Sequence, residues 1–295
     1  MQTFRLVLVA SVLLASISVM GFTPPAQQQT TMDAPNKGAS RVLSEVVDYT
    51  SANGSLQLRG ILFRPGSQGP HPAVVFLHGA NGVSDIAVAT IGGTFADKGY
   101  LLFIPFRRGL GLSASSGEAI LPRLAREQEA HGVAARIHLM VELLSTEQLD
   151  DALGALNYVR SRADVDSSRL AVYGHSYGGI LGVLAAERDL GVRAVVAAAP
   201  AAQNWAGAAD LRVALLGAVR NARVPIFFFQ AANDYDLAPT EQLALEMTRI
   251  GKPHVRKVYP AWGTSVGEGH NLAIAAPNVW APDVFGFLSE YLRLR

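Results

Sequence analysis

The sequence predicts an α/β protein with a mostly parallel central sheet, helices on both faces, and an antiparallel hairpin at its N-terminal end. Three observations lead to this prediction. From residue 41 onward, short apolar runs alternate with longer segments of helical composition. Most of these runs are apolar without interruption, as is typical of parallel strands buried on both faces. The first two runs instead flank Asn53-Gly54, a pair that favours a tight turn between antiparallel strands.

The first half of the sheet follows the hairpin directly. The stretch AVVFLHG over 73–79 predicts a short buried strand, and the sequence after it has helical composition as far as Lys98. Gly99 ends that helix, since glycine readily adopts the left-handed conformation found after a last helical turn. The stretch YLLFIPF over 100–106 predicts the next strand.

A long segment of helical composition separates the two halves of the sheet. It extends from about Glu118 to Arg162, and we expect breaks at Pro122 and Gly132. Four further strands follow, each separated from the next by helical sequence. They are RLAVYGH, VRAVVAAAP, PIFFFQA and HVRKVYP. We see neither an internal repeat nor a second domain.

Composition excludes several classes of function. The 295 residues include 25 Lys and Arg against 24 Asp and Glu, so a net charge of +1 gives no reason to expect nucleic acid as a partner. The chain has no cysteine, which excludes disulfides, thiolate metal sites, a cysteine nucleophile and a lipoprotein anchor. The seven histidines are scattered without the spacing of metal ligands, so we expect neither a metal nor another cofactor.

The N-terminal segment predicts export. A basic start, MQTFR, precedes 17 residues without a charge, and we interpret residues 1–22 as a secretory signal peptide. An uncleaved membrane anchor is the alternative, because 17 residues lie at the short limit of a bilayer span. Residues 23–40 are polar and proline-rich and predict a flexible linker, so 41–295 would be the folded, periplasmic or secreted domain. Only an uncleaved segment would bring this protein to a membrane.

The cluster GHSYGG identifies a candidate nucleophile. In the pattern G-x-S-x-G, a serine sits on a sharp turn between a strand and a helix, with its oxygen exposed above the sheet. Here the strand-like LAVY precedes the cluster and an Ala/Leu-rich helical segment follows it. Gly174 and Gly178 would let strand and helix approach closely. Ser176 is therefore the predicted nucleophile, rather than an incidental serine in a glycine-rich turn.

A serine hydroxyl needs a general base, and two histidines follow Ser176 in the chain. After this type of turn, the acid and then the base lie on loops beyond later strands. His254 starts the strand HVRKVYP, so its side chain is expected to belong to that strand. His270 lies in GTSVGEGHNLAI, predicted as a glycine-rich loop beyond the last strand. We predict His270 as the base.

The acid that orients the base is chosen from three carboxylates. Asp234 and Asp236 both follow the strand PIFFFQA. We favour Asp234, because it is nearer the strand end, where the backbone is best fixed. Asp236 is expected to cap the helix that begins near Pro239. Glu268, two residues before the predicted base, is a poorer alternative.

Acyl transfer also needs N–H donors for the negative charge that develops on the substrate oxygen. The backbone N–H of Tyr177, directly after the nucleophile, is one predicted donor. A second is expected from the loop HGANG after the strand AVVFLHG, with Ala80 the first choice and Asn81 the next. This loop lacks the Lys-Ser/Thr ending of a phosphate-binding loop.

Taken together, five stretches resemble the α/β-hydrolase superfamily over residues 45–293: FLHGANG, PFRRGLGLS, VDSSRLAVYGHSYGG, FFFQAANDYDLAP and GEGH. The closest branch is the dienelactone hydrolase and prolyl oligopeptidase-like group. This resemblance implies an α/β-hydrolase fold and a serine hydrolase that needs no cofactor. It implies, position by position, a nucleophile, an acid, a base and two oxyanion donors: Ser176, Asp234, His270, and Tyr177 with Ala80.

Two departures from these families bear on the substrate. Dienelactone hydrolases use cysteine where this chain has Ser176, and prolyl oligopeptidases carry a propeller domain that nothing here could form. We therefore expect an enzyme that cleaves a carboxylic ester or a similar small acyl substrate through an acyl-enzyme. A prolyl oligopeptidase-like peptidase acting on short peptides, or a non-catalytic relative that binds ligands, are the alternatives.

Three other features could affect the substrate. Residues 111–147 are amphipathic and predict either a cap over the site or an ordinary covering helix. Arg107 and Arg108 follow a strand end and could attract a carboxylate, although salt bridges within the fold are the commoner use of such pairs. Three tryptophans could line an acyl pocket or pack in the core: Trp205, Trp262 and Trp280.

Overall fold

An eight-stranded sheet forms the centre of the computed structural model, which describes residues 42–293. The predicted signal peptide over 1–22 and linker over 23–40 lie outside the described residues. The strand order is β1-β2-β4-β3-β5-β6-β7-β8. The strands are β1 (Leu43–Thr50), β2 (Gln57–Arg64), β3 (His71–Leu77), β4 (Leu101–Phe106), β5 (Val165–His175), β6 (Val192–Ala198), β7 (Ile226–Ala231) and β8 (His254–Tyr259).

Strand pairing confirms the predicted fold class. β1 and β2 pair antiparallel, from Leu43 opposite Arg64 to Thr50 opposite Gln57, and β2 pairs antiparallel with β4. Every other neighbouring pair in the sheet is parallel. The turn between β1 and β2 contains Gly54 with a φ of 78°, a left-handed conformation that glycine adopts without strain.

Helices cover both faces of the sheet. They are α1 (Asp85–Ala96), α2 (Ile120–Ser145), α3 (Glu147–Arg160), α4 (Tyr177–Ala186), α5 (Ala209–Asn221), α6 (Ala238–Arg249), α7 (Val266–His270), α8 (Leu272–Ala275) and α9 (Pro277–Tyr291). Among residues 42–293, none of these helices combines the length and the apolarity that a membrane span requires.

Side chains of the strands contribute to two hydrophobic clusters, one on each face of the sheet. On β7, Phe228 packs in the cluster covered by α2 to α6, while Phe227 and Phe229 pack in the cluster covered by α1, α8 and α9. Every residue of β4 and of β7 is buried. Burial on both faces explains why these strands are uniformly apolar in sequence.

The predicted break at Pro122 is wrong, whereas that at Gly132 is confirmed. Helix α2 begins at Ile120, so Pro122 lies in its first turn, where a backbone N–H has no helical partner to lose. Gly132 has a φ of 86° and interrupts the helical geometry there. The part of α2 after Gly132 packs against α4, where the Tyr177 hydroxyl donates to the Met140 sulfur at 3.0 Å.

Candidate active site

Ser176 occupies a strained turn between β5 and α4. β5 ends at His175 and α4 begins at Tyr177, so Ser176 alone makes the turn, with φ 57° and ψ −117°. A non-glycine residue rarely adopts positive φ, and such strain is concentrated at functional sites. A Cβ on Gly174 would overlap the backbone of Gly178, and one on Gly178 would overlap the Leu77 carbonyl. Both positions of the G-x-S-x-G pattern therefore require glycine.

Ser176, His270 and Asp234 lie in one hydrogen-bonded line. His270 Nε2 is 3.0 Å from Ser176 Oγ, and His270 Nδ1 is 2.8 Å from Asp234 Oδ1. A carboxylate oxygen accepts, so Nδ1–H donates to Asp234 and leaves Nε2 as the acceptor for the serine proton. The Asp234 side chain is fully buried, and that of His270 is nearly so. This arrangement can remove a proton from Ser176 as the oxygen attacks an acyl carbon.

The base lies at the end of a short helix, so the loop predicted around His270 is wrong. Helix α7 begins after Ser265, whose side chain accepts from the Glu268 N–H. Glu268 in turn accepts from the Ser265 backbone, which completes a capping box. The signal was present in the sequence, because S-V-G-E has the spacing of such a box.

The three candidate acids occupy different places. Asp234 contacts His270 as described. Asp236 Oδ1 accepts instead from the Ala238 N–H at 2.8 Å, at the start of α6. The Glu268 carboxylate accepts from the backbone and hydroxyl groups of Thr264 and Ser265, away from the imidazole. Of the three carboxylates, the structure brings only that of Asp234 to the base.

Two side chains that the sequence did not single out hold this acid and base in place. Gln230 Nε2 donates to Asp234 Oδ2 at 3.3 Å and to the Asp236 carbonyl at 2.9 Å. Asn233 donates to the carbonyls of Trp262 and Ser265 and accepts from the Trp262 N–H, each at 3.0 Å. Asn233 thereby ties the end of β7 to the segment that leads into α7. Because the Asn233 contacts join residues 29 and 32 positions apart, no local pattern indicates them.

The backbone N–H groups of Ala80 and Tyr177 are free to receive a substrate oxygen. Neither has a hydrogen-bond partner within residues 42–293, and Ala80 lines the same cleft as Ser176. Gly79 brings the loop against the nucleophile, since a Cβ there would lie 3.5 Å from Ser176 Cβ. Asn81, the other candidate, is exposed and lines the same cleft. Ala80 and Ser176 thus line one cleft, and that the two N–H groups form an oxyanion hole stays a prediction.

The cleft at Ser176 is small and carries no formal charge on its walls. Its volume is about 230 Å³. Tyr235 lines it, with its ring edge-on to that of His270 at 5.3 Å between ring centroids. None of residues 111–147 lines it, and that this segment caps the site stays a prediction. The lining residues are Gly79, Ala80, Asn81, Gly82, His175, Ser176, Gln203, Tyr235, Gly267, His270, Asn271 and Ile274.

The two arginines after β4 are bound within the fold. Arg108 forms a two-pronged contact with the buried Asp151 carboxylate, at 3.0 and 2.7 Å, and a further contact with Glu147 at 2.9 Å. Arg107 is 1% exposed and donates to the carbonyls of His78 and Gly79. Neither guanidinium reaches the cleft, so neither could hold a carboxylate there.

None of the three tryptophans lines the cleft. Trp280 is fully buried and packs against Phe95, Tyr173 and Phe229 on one face of the sheet. Trp205 is buried in the cluster on the other face. Trp280 and Trp205 therefore serve as core packing, and Trp262 is half-buried against the cluster that contains Trp280. Across residues 42–293, no three His, Asp or Glu side chains form a group that could hold a metal ion.

Comparison with known proteins relates this architecture to hydrolases. The Dienelactone hydrolase family matches residues 58–280. Among curated proteins, the uncharacterized peptidase YtmA of Bacillus subtilis is 25% identical over 158 residues, which cover 53% of this chain and 49% of YtmA. The match thus spans about half the length of that relative.

Solved structures share the fold at lower identity. The esterase Pf2001 of Pyrococcus furiosus has a TM-score of 0.61 at 14% identity, covering 85% of this chain and 94% of its own. Dipeptidyl peptidase 4 of Porphyromonas gingivalis has a TM-score of 0.58 at 17% identity, covering 84% of this chain and 35% of its own. At these identities the likeness concerns the fold.

Proposed function

Since this chain belongs to the dienelactone hydrolase family, within the α/β-hydrolase superfamily, we propose that it is a serine hydrolase that cleaves esters of short, uncharged acyl groups. One observation carries the proposal. Ser176 Oγ, the His270 imidazole and the Asp234 carboxylate form a continuous relay, with distances of 3.0 and 2.8 Å. Such a relay activates a serine that would otherwise be a weak nucleophile.

The first half of the reaction forms an acyl-enzyme. Ser176 Oγ bonds to the ester carbonyl carbon while its proton passes to His270 Nε2. Asp234 stabilises the imidazolium that results, and the N–H groups of Ala80 and Tyr177 receive the negative charge on the carbonyl oxygen. The bond to the leaving oxygen then breaks, and His270 returns the proton to that oxygen, so that an alcohol departs.

The second half releases the acid. His270 takes a proton from water, and the water oxygen attacks the acyl carbon in the same oxyanion hole. The bond between this carbon and Ser176 Oγ breaks, and the proton on His270 returns to the serine. One ester and one water thus become one carboxylic acid and one alcohol, and the enzyme is regenerated.

The walls of the cleft support the choice of acyl group. A volume of about 230 Å³ suits a short chain. The lining residues include no Asp, Glu, Lys or Arg. A carboxylate-bearing acyl group would lack a cationic partner, because Arg107 and Arg108 are engaged inside the fold. An uncharged acyl group needs no cationic partner, so the cleft suits it.

A peptidase is the second candidate, and the names of two similar proteins favour it. The same relay can protonate a leaving amine. An exopeptidase that binds a free amino terminus would need a carboxylate in the cleft, however, and none lines it. This favours the ester over an amino-terminal dipeptide. A binding protein without catalysis has no need of the relay.

The test is reaction of the full-length protein with a fluorophosphonate probe, which labels only an activated serine. We expect wild type to be labelled and Ser176→Ala to be inert. Wild type should then hydrolyse p-nitrophenyl acetate and butyrate faster than p-nitrophenyl octanoate or an aminoacyl anilide. Absence of labelling in folded wild type would overturn the proposal that the protein is a serine hydrolase. Faster cleavage of the anilide than of the esters would favour the peptidase proposal over the esterase proposal.

We also propose that the protein is exported. The basic start and the uncharged run within residues 1–22 support this proposal. Fractionation of the producing cells, followed by N-terminal sequencing, tests it. A new N-terminus near residue 22 in the exported fraction is expected for a cleaved signal, and an intact Met1 in the membrane fraction for an anchor. Recovery of intact protein in the cytosol would contradict export.

A further inference from the structure

Arg107 is a buried cation that contacts only neutral acceptors. Its Nη1 donates to the His78 carbonyl at 2.7 Å, its Nη2 to the Gly79 carbonyl at 2.9 Å and its Nε to Gln148 Oε1 at 3.0 Å. No carboxylate of residues 42–293 forms an ion pair with it. Burying a charge is costly unless its interactions repay the loss of water. The position of this charge therefore calls for an explanation.

The carbonyl that Arg107 binds belongs to the peptide that carries a predicted oxyanion donor. Gly79 O and the Ala80 N–H are the two ends of one planar unit, and in a trans peptide they point in opposite directions. Gly79 O also accepts from His78 Nδ1 at 2.8 Å and from the Gly82 N–H at 3.2 Å. With three donors on its oxygen, this peptide cannot rotate freely. The orientation of the Ala80 N–H is therefore fixed by the hydrogen bonds to the Gly79 carbonyl.

A cation on the carbonyl oxygen also polarises the peptide. Hydrogen bonds in a chain strengthen one another, and they do so more in a medium of low dielectric constant. Burial lowers the pKa of Arg107 to about 10, while Asp151 acts to raise it, so the group is a cation at neutral pH. Asp151 itself is paired directly with Arg108 at 2.7 Å. The Arg107 charge thus acts on the loop without a contacting counter-ion.

We propose that Arg107 is a positioning residue of the oxyanion hole: through the Gly79 carbonyl it orients and polarises the peptide whose Ala80 N–H receives the developing negative charge. This inference rests on the proposed hydrolase function. It assigns to Arg107 a role in the rate of the chemical step in addition to its place in the fold. Arg107 itself contacts neither the substrate nor the reacting atoms.

The experiment compares Arg107→Lys and Arg107→Met with wild type, each normalised to the number of active sites found by fluorophosphonate titration. Lysine keeps the charge but cannot donate to both carbonyls in a fixed fork. Removing one oxyanion donor costs about 10²–10³ in kcat, so we expect about that loss for methionine and roughly a tenfold loss for lysine. Arg108→Lys is the matched control, because its donors go to Asp151 and Glu147.

A second readout separates positioning from folding. The serine adds to the carbonyl carbon of methyl trifluoromethyl ketone, and the carbonyl oxygen becomes an oxyanion. The secondary alcohol with the same methyl and trifluoromethyl groups binds without forming an oxyanion. We expect the ketone to bind more weakly to both Arg107 variants by the same factor as kcat falls, with unchanged binding of the alcohol. Arg108→Lys should lower the melting temperature and leave kcat per active site within about twofold, since the oxyanion hole is untouched.

The outcomes are distinguishable. Labelled, active wild type together with an Arg107→Lys enzyme of unchanged kcat per site and unchanged ketone affinity would overturn the role of Arg107 alone. Unlabelled wild type would overturn the hydrolase itself. Should Arg107→Met fail to fold, the lysine variant still decides. Parallel losses of kcat and of ketone affinity, with the alcohol unaffected, would support the proposal.

Discussion

His175, the residue before the nucleophile, holds the backbone of the base: its Nε2 lies 2.9 Å from the carbonyl oxygen of His270. A carbonyl only accepts, so Nε2 carries the proton and the ring is the Nε2–H tautomer. Burial, and secondly the neighbouring His270, lower the pKa of His175 to about 3. His175 is therefore neutral at physiological pH and adds no second positive charge beside the imidazolium.

This contact predicts a difference between two substitutions of His175. Phenylalanine keeps a planar ring but leaves the His270 carbonyl without a donor, whereas glutamine can still donate from its side-chain amide. We expect His175→Phe to lower kcat about tenfold because the base is less well placed, and to lose about 1–3 kcal/mol of stability because a buried acceptor is left unpaired. His175→Gln should lose less of both. Initial rates on p-nitrophenyl acetate, normalised by active-site titration, measure kcat for both variants. Equal rates for the two variants would show that the hydrogen bond has no part in placing the base.

The lowered pKa of His175 also predicts how stability depends on pH. The unfolded state, with a pKa of 6.5, binds a proton below that pH, while the folded state binds it only near pH 3. Stability from this group therefore falls as pH falls from 6.5 towards 3. At up to ~1.4 kcal/mol per pH unit, wild type should lose ~2 kcal/mol more between pH 6 and pH 4 than His175→Gln. Urea unfolding at the two pH values measures this, and parallel losses would contradict the burial of a neutral His175. His78, whose pKa is also lowered by burial, is common to both proteins.

The sequence predicts those parts of the site that depend on local geometry. Ser176 is recognisable because glycines must flank a tight turn, and Asp234 because it follows a strand end. The helix that carries His270 was missed although Ser265 and Glu268 have the spacing of a capping box. The contacts of Arg107, His175 and Asn233 join elements distant in the chain, so they emerge only from the packed structure.

Gly178 predicts a steric limit on the turn at Ser176. A Cβ there would overlap the Leu77 carbonyl, so strand and helix would have to separate. We expect Gly178→Ala to destabilise the fold by more than about 4 kcal/mol, at the extreme of single substitutions, and to abolish fluorophosphonate labelling. Gly217 is the matched control. It lies inside α5 with nothing within 4 Å of its Cβ position, so Gly217→Ala should stabilise by about 0.5–1 kcal/mol. Urea denaturation measures both, and a folded, labelled Gly178→Ala would refute the close packing.

Replacing each of the three carboxylates near the base should lower kcat by a different factor. Asp234→Asn keeps the shape of the side chain but removes the charge and one acceptor facing His270 Nδ1, so we expect kcat to fall by about 10³–10⁴. Asp236→Asn can still accept from the Ala238 N–H, and its kcat should stay within about twofold. Glu268→Gln loosens the cap of α7 without touching the imidazole, so we expect a loss of less than about threefold. Steady-state rates of the three purified variants decide the assignment. A larger loss in Asp236→Asn than in Asp234→Asn would move the acid to Asp236 and require β7 and α7 to rearrange during turnover.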